Sequence, residues 1–464
     1  MFVQFDQHSS SFRDPSGFLF YKDGVLYRQV NKSFQKDFDQ FINGGLYQHL
    51  VGRKLLIAHE PIPGNLTGSP QWHATLRPEP IPFISYPYEW CFDMLKDAAL
   101  VTLQAAREAI SFGMILKDAT AYNIQLHHSR PTFIDTLSFE HYDESKSWVA
   151  YRQFCQHFFA PLALMHYLNK PLQGLLLSYF EGIPLDITSE MLPFKSKLNL
   201  HTYLHVHLQA SLSQKQPTRV KDQEQPFTSK KMLNLLESLE HAVSSFSFKE
   251  APTVWSTYYP EAENRGNYLS SKRQIVDDWL HRLNFESVLD VGANEGEFTS
   301  IAAANSDYVI SADQDHASIN KLYNKVKQQG LTNIYPVIID FANPSPSIGV
   351  NNEERASFLN RAKVDLALAL ALVHHLALGK NIPFSRIASM FFSVTNYLVI
   401  EFVPPYDEKV VLLTEHKKQL LATYTEEHFL QAFDPYFTIL ERHAISNSGR
   451  TLFLMKKLGS AQTN

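Results

Sequence analysis

At 464 residues the chain is long for one core and comfortable for two, and its 44% hydrophobic and 19% charged residues are ordinary for a globular protein. A formal net charge of −5 supplies no overall basic field to recruit nucleic acid or an anionic membrane. The two cysteines, Cys91 and Cys155, lack paired spacing, which argues against a disulfide framework or a zinc site and predicts a reducing, cytoplasmic setting. The opening MFVQFDQHSSSFRD has neither the basic nor the apolar region of a secretion signal. The most apolar stretch, 366–373, is far short of the ~20 residues that span a bilayer.

Residues 17–30, GFLFYKDGVLYRQV, read as a hairpin around a Lys-Asp-Gly turn. A helix is expected over about 33–50. The proline- and glycine-punctuated segment 61–82 reads as a loop. From about 89 to 112 the pattern becomes a long amphipathic helix, with Phe92, Leu95, Ala99, Leu103 and Ala106 at helical spacing and Gly113 ending it. A strand, NIQL, a polar turn, HHSR, and a strand, TFID, follow over 123–135. Residues 148–211 read as mostly helical. The polar segment 214–231, with two prolines, is the linker candidate. Two helical stretches then lead into alternating strands and helices, which implies a parallel α/β sheet.

The segment 287–298, SVLDVGANEGEF, is a buried-strand pattern running into Gly292, Asn294 and Gly296 and then a helix. A glycine at a strand end permits a tight turn and close approach of a ligand to the main chain. Asp290 stands where a carboxylate can accept from an ammonium or hydroxyl. A second strand ends in Asp313, 23 residues after Asp290, where an acid can take ribose hydroxyls. A third ends in Asp340, where an acid can accept from an adenine amino group. A fourth strand is expected over 364–376 and a fifth over 397–405, with FTILERHAI and RTLFLMKK as a closing antiparallel pair. The pattern G-A-N-E-G departs from the dinucleotide G-x-G-x-x-G.

This order, over roughly the last 230 residues, resembles the class I, Rossmann-like methyltransferases. The resemblance implies S-adenosylmethionine as cofactor, held by Asp290, Gly292, Asn294, Gly296, Asp313 and Asp340. An acceptor hydroxyl would have to be held in line with the S–CH₃ bond and lose a proton. His374, His375 and Glu401 are the candidate bases, and Asp407 also follows the fifth strand. For the two histidines a role in capping a helix stands beside the catalytic one. Trp255, Tyr258, Tyr259 and Tyr268 are candidate lid residues or helix packing.

In the N-terminal half, LKDATAYNIQLHHSRPTFIDTLSFE (116–140) places Asp118 five positions before Asn123 and Asp135 twelve beyond it. The segment resembles the catalytic loop of kinase-like folds, which use D-x-x-x-x-N, a strand pair and then a metal-binding Asp. That resemblance implies Asp118 at the reacting hydroxyl, Asn123 and Asp135 as magnesium ligands, and ATP as a second cofactor. A glycine-rich phosphate loop is missing, Lys117 stands where Arg is usual, and Arg28 is the candidate for the missing strand lysine. A scaffold that keeps the loop without transferring phosphate is the alternative.

The whole architecture resembles the NoeA-type nodulation family of methyltransferases and, with the domains reversed, the methyltransferase–kinases that terminate O-antigen chains. The expected fold is therefore an α+β protein-kinase-like domain over 1–225 and an α/β Rossmann-like class I methyltransferase domain over 226–464. The implied function is methyl transfer to oxygen of a carbohydrate or other small hydroxylated acceptor. An RNA or protein methyltransferase with a pseudokinase docking module is the second reading, and a non-catalytic adaptor the third. His201, His205 and His207 in HTYLHVHL, with no nearby acid or cysteine, read as packing rather than a metal site.

Overall fold

A computed structural model describes residues 5–214, 227–250 and 266–459. The chain divides into two compact units, residues 1–250 together with 348–355, and residues 251–347 together with 356–464. Trp255, Tyr258 and Tyr259, and most of the segment 214–231, lie outside the described residues.

The first unit opens with a five-stranded antiparallel sheet in the order β1-β2-β3-β5-β4. Its strands are β1 (Asp6–Gln7), β2 (Gly17–Lys22), β3 (Val25–Asn31), β4 (His59–Ile62) and β5 (Trp72–Pro78). The expected hairpin is β2–β3. Its two-residue turn puts Asp23 and Gly24 at positive φ, the geometry that matches strand twist. The expected helix after it is broken in two, α1 (Gln35–Asn43) and α2 (Leu46–Gly52), at Gly44 and Gly45, where Gly45 adopts φ 87°. The loop expected over 61–82 is a second hairpin, β4–β5. Gly64, Gly68 and Pro70 sit in the connection, Pro61 is on the edge strand β4, which tolerates a missing donor, and Pro78 is the last residue of β5. Val30, Phe34, Phe38, Leu76 and Leu137 form a core on one face of this sheet.

The long helix is α3 (Phe92–Ser111), which stops at Phe112 and at Gly113, φ 67°. Its buried stripe includes Phe92, Leu95, Leu103 and Ile110, each contributing roughly 1.5–3 kcal/mol on burial. Four short strands follow: β6 (Met114–Leu116), β7 (Ile124–His127), β8 (Arg130–Phe133) and β9 (Phe139–His141). They pair as the antiparallel ribbons β6–β9 and β7–β8. The helix Ser229–Ser245 packs along α3, with Arg107 bonded to Glu240 and Lys96 to the carbonyls of Ser244 and Phe246.

The second unit is a seven-stranded mixed sheet in the order β12-β11-β10-β13-β14-β16-β15. Its strands are β10 (Ser287–Val291), β11 (Tyr308–Asp313), β12 (Ile334–Ile338), β13 (Val364–Ala369), β14 (Thr395–Phe402), β15 (Phe437–Ala444) and β16 (Thr451–Lys457). β10 to β14 are mutually parallel, and the closing pair is antiparallel as expected. The fourth strand ends earlier than expected, at Ala369 rather than Leu376. Its pairing with β10 runs out at Val291↔Ala369, and the chain turns through Ala371, φ 51°, into a helical turn from His375. Strand order reverses beside β10, so a crevice opens at the carboxyl ends of β10 and β13, where such sheets bind ligands.

Candidate functional site

That crevice is a cleft, open to solvent and contained within the second unit. Its floor is the turn after β10. Gly292 adopts φ 77° and Gly296 φ 83°, and Asn294 between them is also left-handed at 51°. A Cβ on Gly296 would lie 2.4 Å from Leu322 Cδ1. Glycine is favoured there by backbone conformation, and a side chain would press on Leu322 of the helix His316–Gln329.

Three carboxylates from three adjacent strands line the cleft. Asp290 is buried and accepts from Thr299 Oγ1 at 2.6 Å. Burial raises its carboxyl to about 6. Asp313 accepts from Asn294 N at 2.9 Å through one oxygen and from Asp315 N at 2.8 Å through the other. Burial moves its pKa up, and these backbone bonds oppose that shift. They also lock the carboxylate to the glycine turn. Asp340 accepts from Ala342 N at 2.9 Å, with Lys380 Nζ 3.6 Å away. Between these acids Ile339, Phe341, Leu370, Leu372 and Leu376 supply an apolar wall. The cleft can hold a ligand with a flat apolar body, hydroxyls and a cationic end.

The candidate bases separate. His375 lines the cleft. Burial first, then Arg450 and Lys409, lowers its pKa to about 4, so the ring is neutral at pH 7. The ring of His374 lies against it at a tilt of 42°, centroids 4.0 Å apart, but is buried behind the lining. Its Nδ1 has no hydrogen-bond partner among the described residues, and burial holds its pKa well below the ordinary value. A neutral ring there costs least.

Glu401 is fully buried and saturated. It accepts from Lys272 Nζ at 2.7 Å, Ala371 N at 2.8 Å, Tyr268 OH at 2.9 Å and Arg450 Nη1 at 3.2 Å. Burial alone would raise its carboxyl, but Lys272 and Arg450 outweigh that and hold it at about 2. Asp407 completes the network by taking Arg450 Nε at 2.8 Å and Nη2 at 3.1 Å, and it caps the helix Glu408–Thr414. Neither acid reaches the cleft lining. Tyr268 belongs to this network rather than to a lid. Lys272, in contrast, lines the cleft beside Asp290 and Phe298. Sequence reasoning missed it because its partner is far away in the chain and nothing in YLSSKRQ marks it.

In the first unit the structure gathers Arg28, Asn123 and Asp135. Arg28 Nη1 donates to one oxygen of Asp135 and Ser138 Oγ to the other, and Asn123 Nδ2 donates to Ser138 Oγ at 3.3 Å. Asp118 accepts from Thr120 N at 3.1 Å. Burial and then the charge of Asp135 raise its pKa. Lys117 turns away to Ser16 Oγ at 2.8 Å and sits over the Phe34 ring. These residues do not form an open oxygen set for magnesium. A guanidinium already neutralises Asp135, and Asn123 presents its nitrogen to a hydroxyl. His201, His205 and His207 are engaged by Ser238, Tyr151, Ser189 and Ser196, as expected for packing. Among the described residues no helix is long and apolar enough to cross a membrane.

No family model matches the chain. It is 30% identical over 464 residues to the nodulation protein NoeA of Rhizobium meliloti, covering 97% of this chain and 96% of that one. Among solved structures, the N-methyltransferase NodS of Bradyrhizobium japonicum matches at 13% identity and TM-score 0.31, covering 42% of this chain and 99% of its own. An S-adenosylmethionine-dependent methyltransferase from Clostridium acetobutylicum matches at 14% identity and TM-score 0.30, covering 44% of this chain and 99% of its own. At such scores the sheet order and the cleft lining carry the reading.

Proposed function

The chain belongs to the family of the nodulation protein NoeA, and from that premise we propose that its second unit is an S-adenosylmethionine-dependent methyltransferase acting on oxygen of a carbohydrate or other small hydroxylated acceptor. The observation that carries the reading is the convergence of Asp290, Asp313 and Asp340, from three neighbouring strand ends, on one cleft floored by the Gly292–Gly296 turn. The donor set fits the cofactor. Asp313 keeps lone pairs for ribose hydroxyls after its two backbone bonds, Asp340 can accept from an adenine amino group beside the apolar wall, and Asp290 can take an ammonium. The bound sulfonium supplies an activated methyl group. The protein's part is to orient the acceptor hydroxyl and receive its proton. His375, neutral and in the lining, would receive it. Glu401, with four donors on it, serves instead to hold Lys272 at the cleft.

For the first unit we infer a kinase-like fold that binds the acceptor. Two features support this: α1 and α2 lie between the third and fourth strands of a five-stranded sheet, and Asp118, Asn123 and Asp135 gather beside Arg28. The Arg28–Asp135 pair favours a scaffold over a phosphotransferase with ATP and magnesium. Methyl transfer from labelled cofactor, scored across sugar, lipid-linked sugar, RNA and protein acceptors, tests the proposal. Label on a sugar hydroxyl supports it. Label on RNA or protein alone transfers the case to the second reading, in which the first unit is a docking module.

A further inference from the structure

The polar turn HHSR does more than join two strands. β7 ends at His127, and His128 and Ser129 form the turn at φ 49° and 58°. The register pairs His127 with Arg130, so the turn is a tight two-residue connection. Both imidazoles face one acid from another element, Glu79, which follows β5 and is tied down by its backbone N–H to Ala58 O at 2.9 Å. His127 Nε2 lies 3.2 Å and His128 Nε2 3.6 Å from the same oxygen, Glu79 Oε1. The two rings are 4.1 Å apart. Among the described residues this is the group of three metal-ligating side chains whose donor atoms all lie within 4.8 Å of one another.

We propose that Glu79, His127 and His128 form a binding site for a divalent transition-metal ion of the zinc class. Zinc bonds of about 2.0–2.2 Å to nitrogen and oxygen set the edges of a tetrahedron at roughly 3.3–3.5 Å. The two histidine–glutamate separations bracket that spacing, and the remaining edge, between the two imidazole nitrogens, is within 4.8 Å and closes by side-chain rotation. Two imidazoles and a carboxylate, with a fourth position facing solvent, are a ligand set that zinc accepts, whereas magnesium prefers oxygen alone. His128 is 63% and Glu79 41% exposed, which leaves an entry path, while His127 at 14% is the anchored member. The site needs no cysteine and is separate from the Asp118–Asn123–Asp135 group. An ordinary surface ion pair is the competing account of the same contacts.

The test is calorimetric titration of the full chain, first stripped with chelator, with zinc chloride. Magnesium chloride serves as the control, and native mass spectrometry counts bound ions. The variants are Glu79→Gln, His127→Gln and His128→Asn. Asparagine tolerates the left-handed backbone at 128, and the metal-free melting temperature shows whether each variant folds. The expected result is one more tightly bound zinc in the parent than in each folded variant, or at least tenfold weaker binding in the variants, with no heat from magnesium. Cobalt(II) should give visible absorption in the parent that the variants lose. Equal zinc stoichiometry and affinity in parent and folded variants, or no zinc bound by the parent, overturns the proposal and leaves the ion pair.

Discussion

Replacing Glu401 with glutamine separates a structural acid from a catalytic one. The side chain keeps its shape but loses its charge. Its amide nitrogen must then face one of the four donors now pointing at the carboxylate: Lys272, Ala371 N, Tyr268 or Arg450. Arg450 keeps Asp407 as counter-ion, whereas Lys272, 1% exposed, loses its ion-pair partner. Breaking a buried pair by removing one partner costs about 3–5 kcal/mol. Holding the carboxyl at about 2, against 4.5 unperturbed, independently corresponds to about 3 kcal/mol at neutral pH. At roughly 2–4 °C per kcal/mol for a unit of this size, melting should fall by about 6–20 °C. Scanning calorimetry reads it, with the second unit's transition identified by its response to S-adenosylhomocysteine. The sign with pH follows from the depressed pKa. The parent's extra stability is present above about pH 4.5 and is lost as pH falls toward 2, while the variant shows a flatter profile. A variant that melts within about 2 °C of the parent yet no longer transfers methyl groups would refute this reasoning and restore Glu401 as a base.

Asp290, raised to about 6, gives a second pH signature. Its protonated form favours the fold, so this contribution is lost as pH rises through about 6. Over the same range the ionised form strengthens binding of an ammonium-bearing ligand. S-adenosylhomocysteine should bind about tenfold more weakly at pH 5 than at pH 7.5, and Asp290→Asn should remove that difference; an identical ratio in the variant contradicts the assignment. Gly296→Ala combines a left-handed residue with a Cβ 2.4 Å from Leu322 Cδ1. It should cost about 1–3 kcal/mol, seen as a lowered melting temperature; an unchanged value would show that the turn relaxes freely.

The parts of the site that could be read from sequence are local. Glycines at a strand end and an aspartate at or near the end of each of three successive strands are short patterns, and the sheet converts them into neighbours because β10, β11 and β12 are adjacent and parallel. The parts that could not be read depend on distant pairing. Glu401 lies 133 residues from Tyr268 and 49 from Arg450, so its saturation was invisible and it read as an available base. The fourth strand looked longer than it is because apolar residues continue past Ala369, while its length is set by its neighbour β10. β4 was hidden because proline counts against a strand until its edge position is known, and β5 because Pro78 closes it and further prolines follow. Arg28 was named as a candidate from its strand, yet only the fold shows it bound to Asp135, 107 residues away.

The central claim is that the cleft of the second unit is a cofactor site. Isothermal titration of the 464-residue chain with S-adenosylhomocysteine tests it most directly. The account predicts saturable binding of one equivalent. Asp313→Ala should weaken it by about 10- to 150-fold, the equivalent of roughly 1.5–3 kcal/mol for hydrogen bonds to a charged group. Absence of binding by the intact protein, or equal affinity in Asp313→Ala, would contradict it.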